Sequence, residues 1–511
     1  MLITRSSPTR LLSSRGHFSL ALSPTGQLIA ASCSHFRLIH TSKNRPSPPY
    51  SASLVPHNGQ NAYHQPQTDT GASTTDSTTT APLSVLPLTS VLRSLMTTTV
   101  SSSPLLLKPS MAVMTALANS TSPLWNPDKN PLLRYILKNT FYAQFCAGET
   151  PQEVRATMAG LKRIGFDGVI LGYAKEVVME EEEEHGLSSY NDEGRQDVTK
   201  DEIKAWAEGT MQTLRLAEAG DFVALKFTGA GLQALHHLSQ RLPPSPTLAD
   251  AIDSICTLAV SRGVRLLFDA EQDAVQAGID DWTLAYMRKY NSRERAVVYG
   301  TYQAYLKSTP KTVSKHLRAA REGGFALGVK LVRGAYLGSD PRHLIHDTKA
   351  DTDAAYDGIA EAILRREWRS PLEHPTGGGG TFPNVQLVLA SHNAESVRRA
   401  RAVMAAAATT VDVAFGQLQG MADEISCQLV SEKKETQAAK AATTAAAAAG
   451  AAAPPIQVYK YLVWGSTGEC MKYLLRRARE NQDAVQRTKH SQRAMWNEVV
   501  RRVKQGVFRR A

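Results

Sequence analysis

Eight short runs rich in β-branched residues recur through the chain from Gly168 onward, and helical spacing fills the stretches between them. They are GVILGY (Gly168–Tyr173), FVALKF (Phe222–Phe227), VRLLFD (Val264–Asp269), VVYGTYQ (Val297–Gln303), VKLVR (Val329–Arg333), VQLVLAS (Val385–Ser391), VDVAFGQ (Val411–Gln417) and VYKYLVW (Val458–Trp464). The runs are near-continuously apolar rather than alternating, the pattern of parallel strands covered on both faces. Eight such strands separated by helices predict an α/β protein, a TIM-like (β/α)8 barrel. The polar residues fall at the C-terminal ends of the runs, the rim where such a barrel keeps its chemistry.

The rest of the chain is read around that barrel. Residues 1–45 carry Arg5, Arg10, Arg15 and Arg37 among Ser, Leu and Phe, and Asp69 is the first carboxylate of the chain. An acid-free, Arg- and Ser-rich leader reads as a mitochondrial presequence. Residues 46–83 are poor in large apolar side chains and read as a disordered linker. Residues 84–160 read as an N-terminal helical arm, with one helix over Asn130–Ala147 stopped at Gly148 and another starting at Thr150-Pro151. The barrel domain is expected over 161–500, and 501–511 as a basic tail that could dock on anionic lipid through Arg501, Arg502, Lys504, Arg509 and Arg510.

The formal charge of +11 sits at the two ends. The last 41 residues hold twelve Lys and Arg against three acids, and residues 1–68 hold six against none, so the middle is slightly acidic. A nucleic-acid binder usually carries its basic patch on the folded domain, so that class is not favoured. Five scattered cysteines (Cys33, Cys146, Cys256, Cys427, Cys470) make neither a disulfide framework nor a zinc site. No metal-ligand spacing occurs, and no apolar run is long enough to span a bilayer.

Chemistry-bearing residues cluster at the ends of the runs. Lys226 ends the second and Asp269-Ala270-Glu271 the third; Gln303 ends the fourth. Lys330 and Arg333 mark the fifth with Tyr336 beyond; Ser391-His392-Asn393 ends the sixth and Gln417 the seventh. Charges inside barrel strands are costly unless paired or facing a polar ligand, so Lys226, Asp269 and Lys330 are either an ion cluster or a site. After the last run, a helix beginning near Ser466 or Thr467 carries Arg476, Arg477 and Glu480. Adjacent arginines can close over a small carboxylate, and Glu480 is four residues from Arg476, where it can brace it. The alternative is a solvated basic face. Thr228-Gly229-Ala230-Gly231 imitates a dinucleotide fingerprint, but Lys226 interrupts the strand before it and Asp250 follows a Pro-rich loop instead of a second strand.

Taken in order, LLFDAE, TYQAYLK, KLVRGAY, LASHNA, GQLQGMAD and YLLRRAREN resemble proline dehydrogenase, and NPLLRYILKNTFYAQFCAGE and GVILGYAKEVV resemble its fungal mitochondrial branch. The resemblance, from about Leu92 to Arg502, implies a distorted (β/α)8 barrel with FAD held noncovalently at the strand ends. It implies oxidation of L-proline to Δ1-pyrroline-5-carboxylate on the matrix side of the inner mitochondrial membrane, with electrons passed to membrane ubiquinone. It assigns the proline carboxylate to Arg476 and Arg477, with Glu480 bracing Arg476 and Glu176 gating it. Tyr461, Asp269, Lys226, Leu331 and Tyr336 would line the substrate pocket. Lys330 would stand near the flavin N5, and Gln303, His392, Arg333 and Asn393 would contact the cofactor. One departure stands out: an acid expected four residues before Glu176 is Gly172. Hydroxyproline dehydrogenase is the neighbouring reading, against which the bulky Tyr461 argues because it would crowd a ring hydroxyl. A non-catalytic barrel scaffold is the reading from another class, against which the polar rim argues.

Overall fold

Eight parallel strands close into a barrel in the computed structural model, which describes residues 81–174, 196–374, 380–442, 456–480 and 485–508, all within the unit Ser77–Ala511. The barrel strands are β2 (Gly168–Tyr173), β3 (Phe222–Leu225), β4 (Arg265–Phe268), β5 (Val298–Gln303), β6 (Leu327–Val332), β7 (Val385–Ala390), β8 (Asp412–Leu418) and β9 (Gln457–Trp464). They pair in sequence order, and β9 closes the ring by pairing with both β8 and β2. All eight predicted runs are strands. An additional short strand, β1 (Cys146–Gly148), takes over the β9 edge beyond Tyr461, where β8 has ended.

Before the barrel come α1 (Leu88–Ser102), α2 (Pro104–Ala118), α3 (Pro131–Leu137), the single turn α4 (Ala143–Phe145) and α5 (Pro151–Ile164). Between strands lie α6 (Gln196–Leu216), α7 (Leu232–Ser239), α8 (Pro246–Arg262), α9 (Asp273–Tyr290), α10 (Thr309–Gly323), α11 (Lys349–Arg365), α12 (Ala394–Ala406) and α13 (Asp423–Ala442). The last two are α14 (Thr467–Glu480) and α15 (Val485–Phe508).

Strand alternation separates two cores. Outward side chains such as Leu171, Leu266, Val329, Leu387 and Phe415 pack under the helices. Inward ones, Ile170, Phe222, Leu267, Tyr299, Val388, Ala414 and Tyr459, fill the barrel. Higher on the same face come Asp269, Thr301, Lys330 and Tyr461, with Lys226 just past the end of β3, so the polar rim is a continuation of the apolar plug.

Two local expectations change. The segment read as one helix over Asn130–Ala147 breaks into α3, a wide turn at Lys138–Tyr142 and α4, and Cys146 is then extended (φ −114, ψ 155). Pairing with β9 outweighs helical spacing there, and the Tyr142 hydroxyl donates to Gly465 O at 2.8 Å. The tail expected from 501 is helix as far as Phe508. Arg501 and Arg502 both grip the Glu498 carboxylate, and Arg502 also donates to the carbonyls of Leu83 (3.0 Å) and Leu86 (2.8 Å). Arg502 thereby joins α15 to the turn before α1, while Arg501 pairs within α15 with Glu498 and Gln505. Arg509, Arg510 and residues 1–80 lie outside the described residues, as do most of the Lys- and Ala-rich tract and the presequence.

Candidate active site

The top layer of the barrel is built on one buried ion pair. Lys330 Nζ, on β6, stands 2.5 Å from Asp269 Oδ1, at the end of β4, with only 7% and 9% of the two side chains exposed. The second carboxylate oxygen accepts from the Tyr461 hydroxyl at 3.3 Å, and the Thr301 hydroxyl donates to the first at 3.5 Å. Lys330 Nζ also lies 5.4 Å from the centre of the Tyr461 ring. Asp269 thus gathers side chains from β5, β6 and β9 into one cluster. Burial, then Asp269, push the Tyr461 phenol well above its ordinary range, so it stays a donor.

The last helix reaches this cluster. The α14 N-terminus is a capping box in which Ser466 Oγ accepts from Glu469 N and Glu469 Oε2 accepts from Ser466 N. Glu149, just after β1, accepts from the Thr467 backbone N–H (2.8 Å) and hydroxyl (2.6 Å), and pairs with Arg134 and Lys138 through its other oxygen. Docked this way, α14 turns Arg477 toward the barrel mouth. The Arg477 guanidinium lies 5.7 Å from the Tyr473 ring centre and acts electrostatically on Lys226, Tyr336 and Tyr461. Lys226 is held above its ordinary range: burial and Arg477 oppose its charge, but Tyr336 and Glu271 outweigh them. Three cations, two carboxylates (Asp269 and Glu271) and three phenols therefore share one mouth, with positive charge in excess, a field suited to an anion.

Several expected residues do other work. Arg333 is bound up in scaffolding: it donates to Asp353 (2.8 Å), Ser391 (2.6 Å) and Ser396 (2.8 Å) and lies over the Tyr356 ring. Asn393 caps α12 through Glu395 N and Ser396 N. Leu331 is fully buried on the face of β6 opposite Lys330, in the outer core rather than the substrate pocket, because neighbouring side chains alternate. Gln417 likewise turns outward, toward Ser391 O and Ser426. Gln303 lies under the rim, accepting from Ala335 N and donating to Glu271 O, and His392 Nε2 accepts from Leu418 N. Arg476 is half-buried on α14. Glu176 and the Glu480 side chain lie outside what is described. The turn that leads into the dinucleotide imitation is held by the Glu271 carboxylate, which accepts from Phe227 N (2.8 Å) and Thr228 N (3.1 Å).

Other residues carry no signal in the runs themselves. Thr301 and Tyr473 join the cluster only because strand and helix periodicity aim them there, four residues before Arg477 in the second case. Gln419 Oε1, just past β8, is a buried acceptor without a partner among the described residues. An orphaned acceptor at the barrel mouth is what a bound ligand with an N–H would satisfy. Among the described residues no group of His, Cys, Asp and Glu could hold a metal ion.

A proline dehydrogenase family profile matches residues 154–490, from α5 through all eight barrel strands to α15. The chain belongs to the proline dehydrogenase family. Relatives in that family include the probable mitochondrial proline dehydrogenase of Schizosaccharomyces pombe, 31% identical over 73% of this chain and 80% of that protein. The hydroxyproline dehydrogenase of Rattus norvegicus is 28% identical over 72% of this chain and 83% of its own length. The chain spans only 38% of the mitochondrial proline dehydrogenase 1 of Caenorhabditis elegans. A crystal structure of proline utilization A from Bdellovibrio bacteriovorus, inactivated by N-propargylglycine, superposes with a TM-score of 0.53 at 16% identity, over 75% of this chain and 37% of that one. That likeness is one of fold. The cluster stands at the strand ends, the rim where a (β/α)8 barrel keeps its chemistry.

Proposed function

We propose that the chain oxidises L-proline to Δ1-pyrroline-5-carboxylate in the mitochondrion, on the matrix side of the inner membrane, using FAD and passing electrons to ubiquinone. The observation that carries this reading is Arg477 facing Lys226, Tyr336 and Tyr461 over the Lys330–Asp269 pair. A small zwitterion needs a cation for its carboxylate and a carboxylate or phenol face for its ring nitrogen, and this mouth offers both. Arg477, with Arg476 beside it, takes the carboxylate; Tyr461 and Tyr336 wall the ring. Positioning of this kind is the main task of a hydride-transfer site. FAD, when bound, supplies the acceptor for the hydride leaving the ring carbon next to nitrogen. Lys330 is placed to offset negative charge gathering near the reduced cofactor, while the Gln419 Oε1 acceptor and His392 fit a polar cofactor edge.

Hydroxyproline is the second reading, favoured by the relatives of that name. Tyr461 opposes it: its phenol is locked on Asp269, filling space a ring hydroxyl would use. The deciding experiment is anaerobic. Purified protein is titrated with proline and with trans-4-hydroxyproline while the flavin absorption band is followed. Bleaching by proline at much lower concentration than by hydroxyproline is the expected result. No flavin band, or no bleaching by either, would reject the reading.

A further inference from the structure

An apolar cavity of about 440 Å³ lies between the N-terminal arm and the barrel mouth. Its walls are Met96, Val100, Met114, Leu137, Phe141 and Leu475, drawn from α1, α2, α3 and its following turn, and α14. Its inner end touches His392 and Arg477, whereas Gln303, Lys330, Arg333 and Asn393 do not line it. The cavity therefore abuts the proposed cofactor and substrate site without coinciding with it. It is large enough for a single-ring ligand with a short apolar tail.

Two further observations say what that ligand is. Glu424, on the wall, uses one carboxylate oxygen to accept from Ser491 at 2.8 Å, and its other oxygen is buried with no partner among the described residues. Burying such an acceptor is costly unless a ligand donates to it. The outer end is lipid-like: Met96 lines the cavity and is 47% exposed, Leu88 and Leu92 precede it on the same face of α1 and are exposed, and so are Leu105 and Leu106 at the start of α2. A contiguous exposed apolar face marks a surface that meets a membrane or a partner.

We infer that this cavity binds a lipid-soluble quinone, which enters from the bilayer past Met96 and brings its ring to the inner end beside His392 and Arg477. This rests on the proline-oxidising reading above. The balance is proline plus quinone giving the cyclic imine plus hydroquinone. Two electrons and two protons leave the C–H and N–H of proline, and both arrive on the quinone, whose two carbonyl oxygens become hydroxyls. A quinone has no hydrogen-bond donor and a hydroquinone has two, so the orphan Glu424 oxygen is satisfied as the product forms.

The test uses full-length, FAD-loaded protein with two probes, decylubiquinone and a short-chain azido-quinone. Photolabelling without proline is expected to mark peptides of α1, α2 or α14 and to be displaced by excess decylubiquinone. Ser110→Trp, which fills the cavity from a half-exposed wall position, is expected to raise KM for decylubiquinone about tenfold and to reduce labelling in proportion, with proline oxidation by a soluble dye within about twofold of wild type. Glu424→Gln should weaken product inhibition by decylubiquinol about threefold or more, with the dye rate likewise unchanged. Label recovered elsewhere, or Ser110→Trp with labelling and quinone KM both unchanged, overturns the assignment. If dye-linked proline oxidation is absent in the wild type, the reaction itself has been misread, and the labelled peptides still decide the cavity independently.

Discussion

A Cβ at position 172 would stand 2.9 Å from the Tyr461 hydroxyl oxygen. Gly172 on β2 and Tyr461 on β9 lie on neighbouring strands near the barrel mouth, and the missing side chain of one is the space filled by the phenol of the other. That phenol donates to Asp269, so the glycine is a precondition for the Tyr461–Asp269–Lys330 chain. The departure at Gly172 is thus coupled to the rim cluster.

Gly172→Ala should therefore push the Tyr461 ring aside. The expected cost is about 1–3 kcal/mol of overpacking, with a several-fold rise in KM for proline, read by steady-state dye reduction and thermal denaturation. Unchanged KM and melting temperature would mean the phenol moves freely and does not wall the substrate.

Arg477→Met should lower kcat/KM for proline by about tenfold or more, because a charge-assisted bond to the carboxylate is worth roughly 1.5–3 kcal/mol. Melting temperature should move little, since Arg477 is half-buried. A variant as efficient as wild type removes the carboxylate clamp from the argument.

Lys330→Met leaves the Asp269 carboxylate buried beside an apolar side chain, at a cost of roughly 3–5 kcal/mol. Adding Asp269→Asn should recover most of that stability, because an uncharged amide no longer needs the ammonium. Activity should not return with it. Urea denaturation of the two variants separates structural pairing from chemistry; a double variant no more stable than the single one would show that the pair is not an isolated unit.

Glu149 should make the docking of α14 acid-sensitive. Its carboxyl is held down to about 2: burial pushes it up, but Thr467, Arg134 and Lys138 outweigh burial. A depressed carboxyl contributes stability that is fully present above its ordinary value of 4.5 and is lost as pH falls toward 2. After allowance for screening by solvent, that contribution is about 2 kcal/mol. Glu149→Gln should thus be destabilised at neutral pH, with the gap from wild type closing as the medium is acidified, and its KM for proline should rise as α14 loosens. Parallel melting curves at every pH would contradict this coupling.

The barrel was legible because buried parallel strands leave the plainest sequence trace there is, short apolar runs of the right number. The rim was legible because a charge at the end of such a run has few reasons to be there. The two-residue alternation also lies in the sequence, yet its phase does not. Lys330 and Leu331 are adjacent, and only closure of the ring decides that the lysine points in and the leucine out. In the same way Arg333 and Asn393 have side chains suited to a cofactor, but Asp353 arrives from α11 to accept from both, and Ser391 and Ser396 arrive from another segment to accept from Arg333.

What the amino-acid order determined by itself was local and periodic: strand number, a helix start near Ser466 or Thr467, and a pair of arginines about one turn before Glu480. What only the tertiary structure decided was which of these side chains meet. The break of the Asn130–Ala147 helix to supply β1, the hold of Glu149 on Thr467, the space that Gly172 leaves for Tyr461 and the cavity under α1 and α2 all join residues far apart in the chain. Such contacts depend on the geometry of closure, which no window of sequence contains.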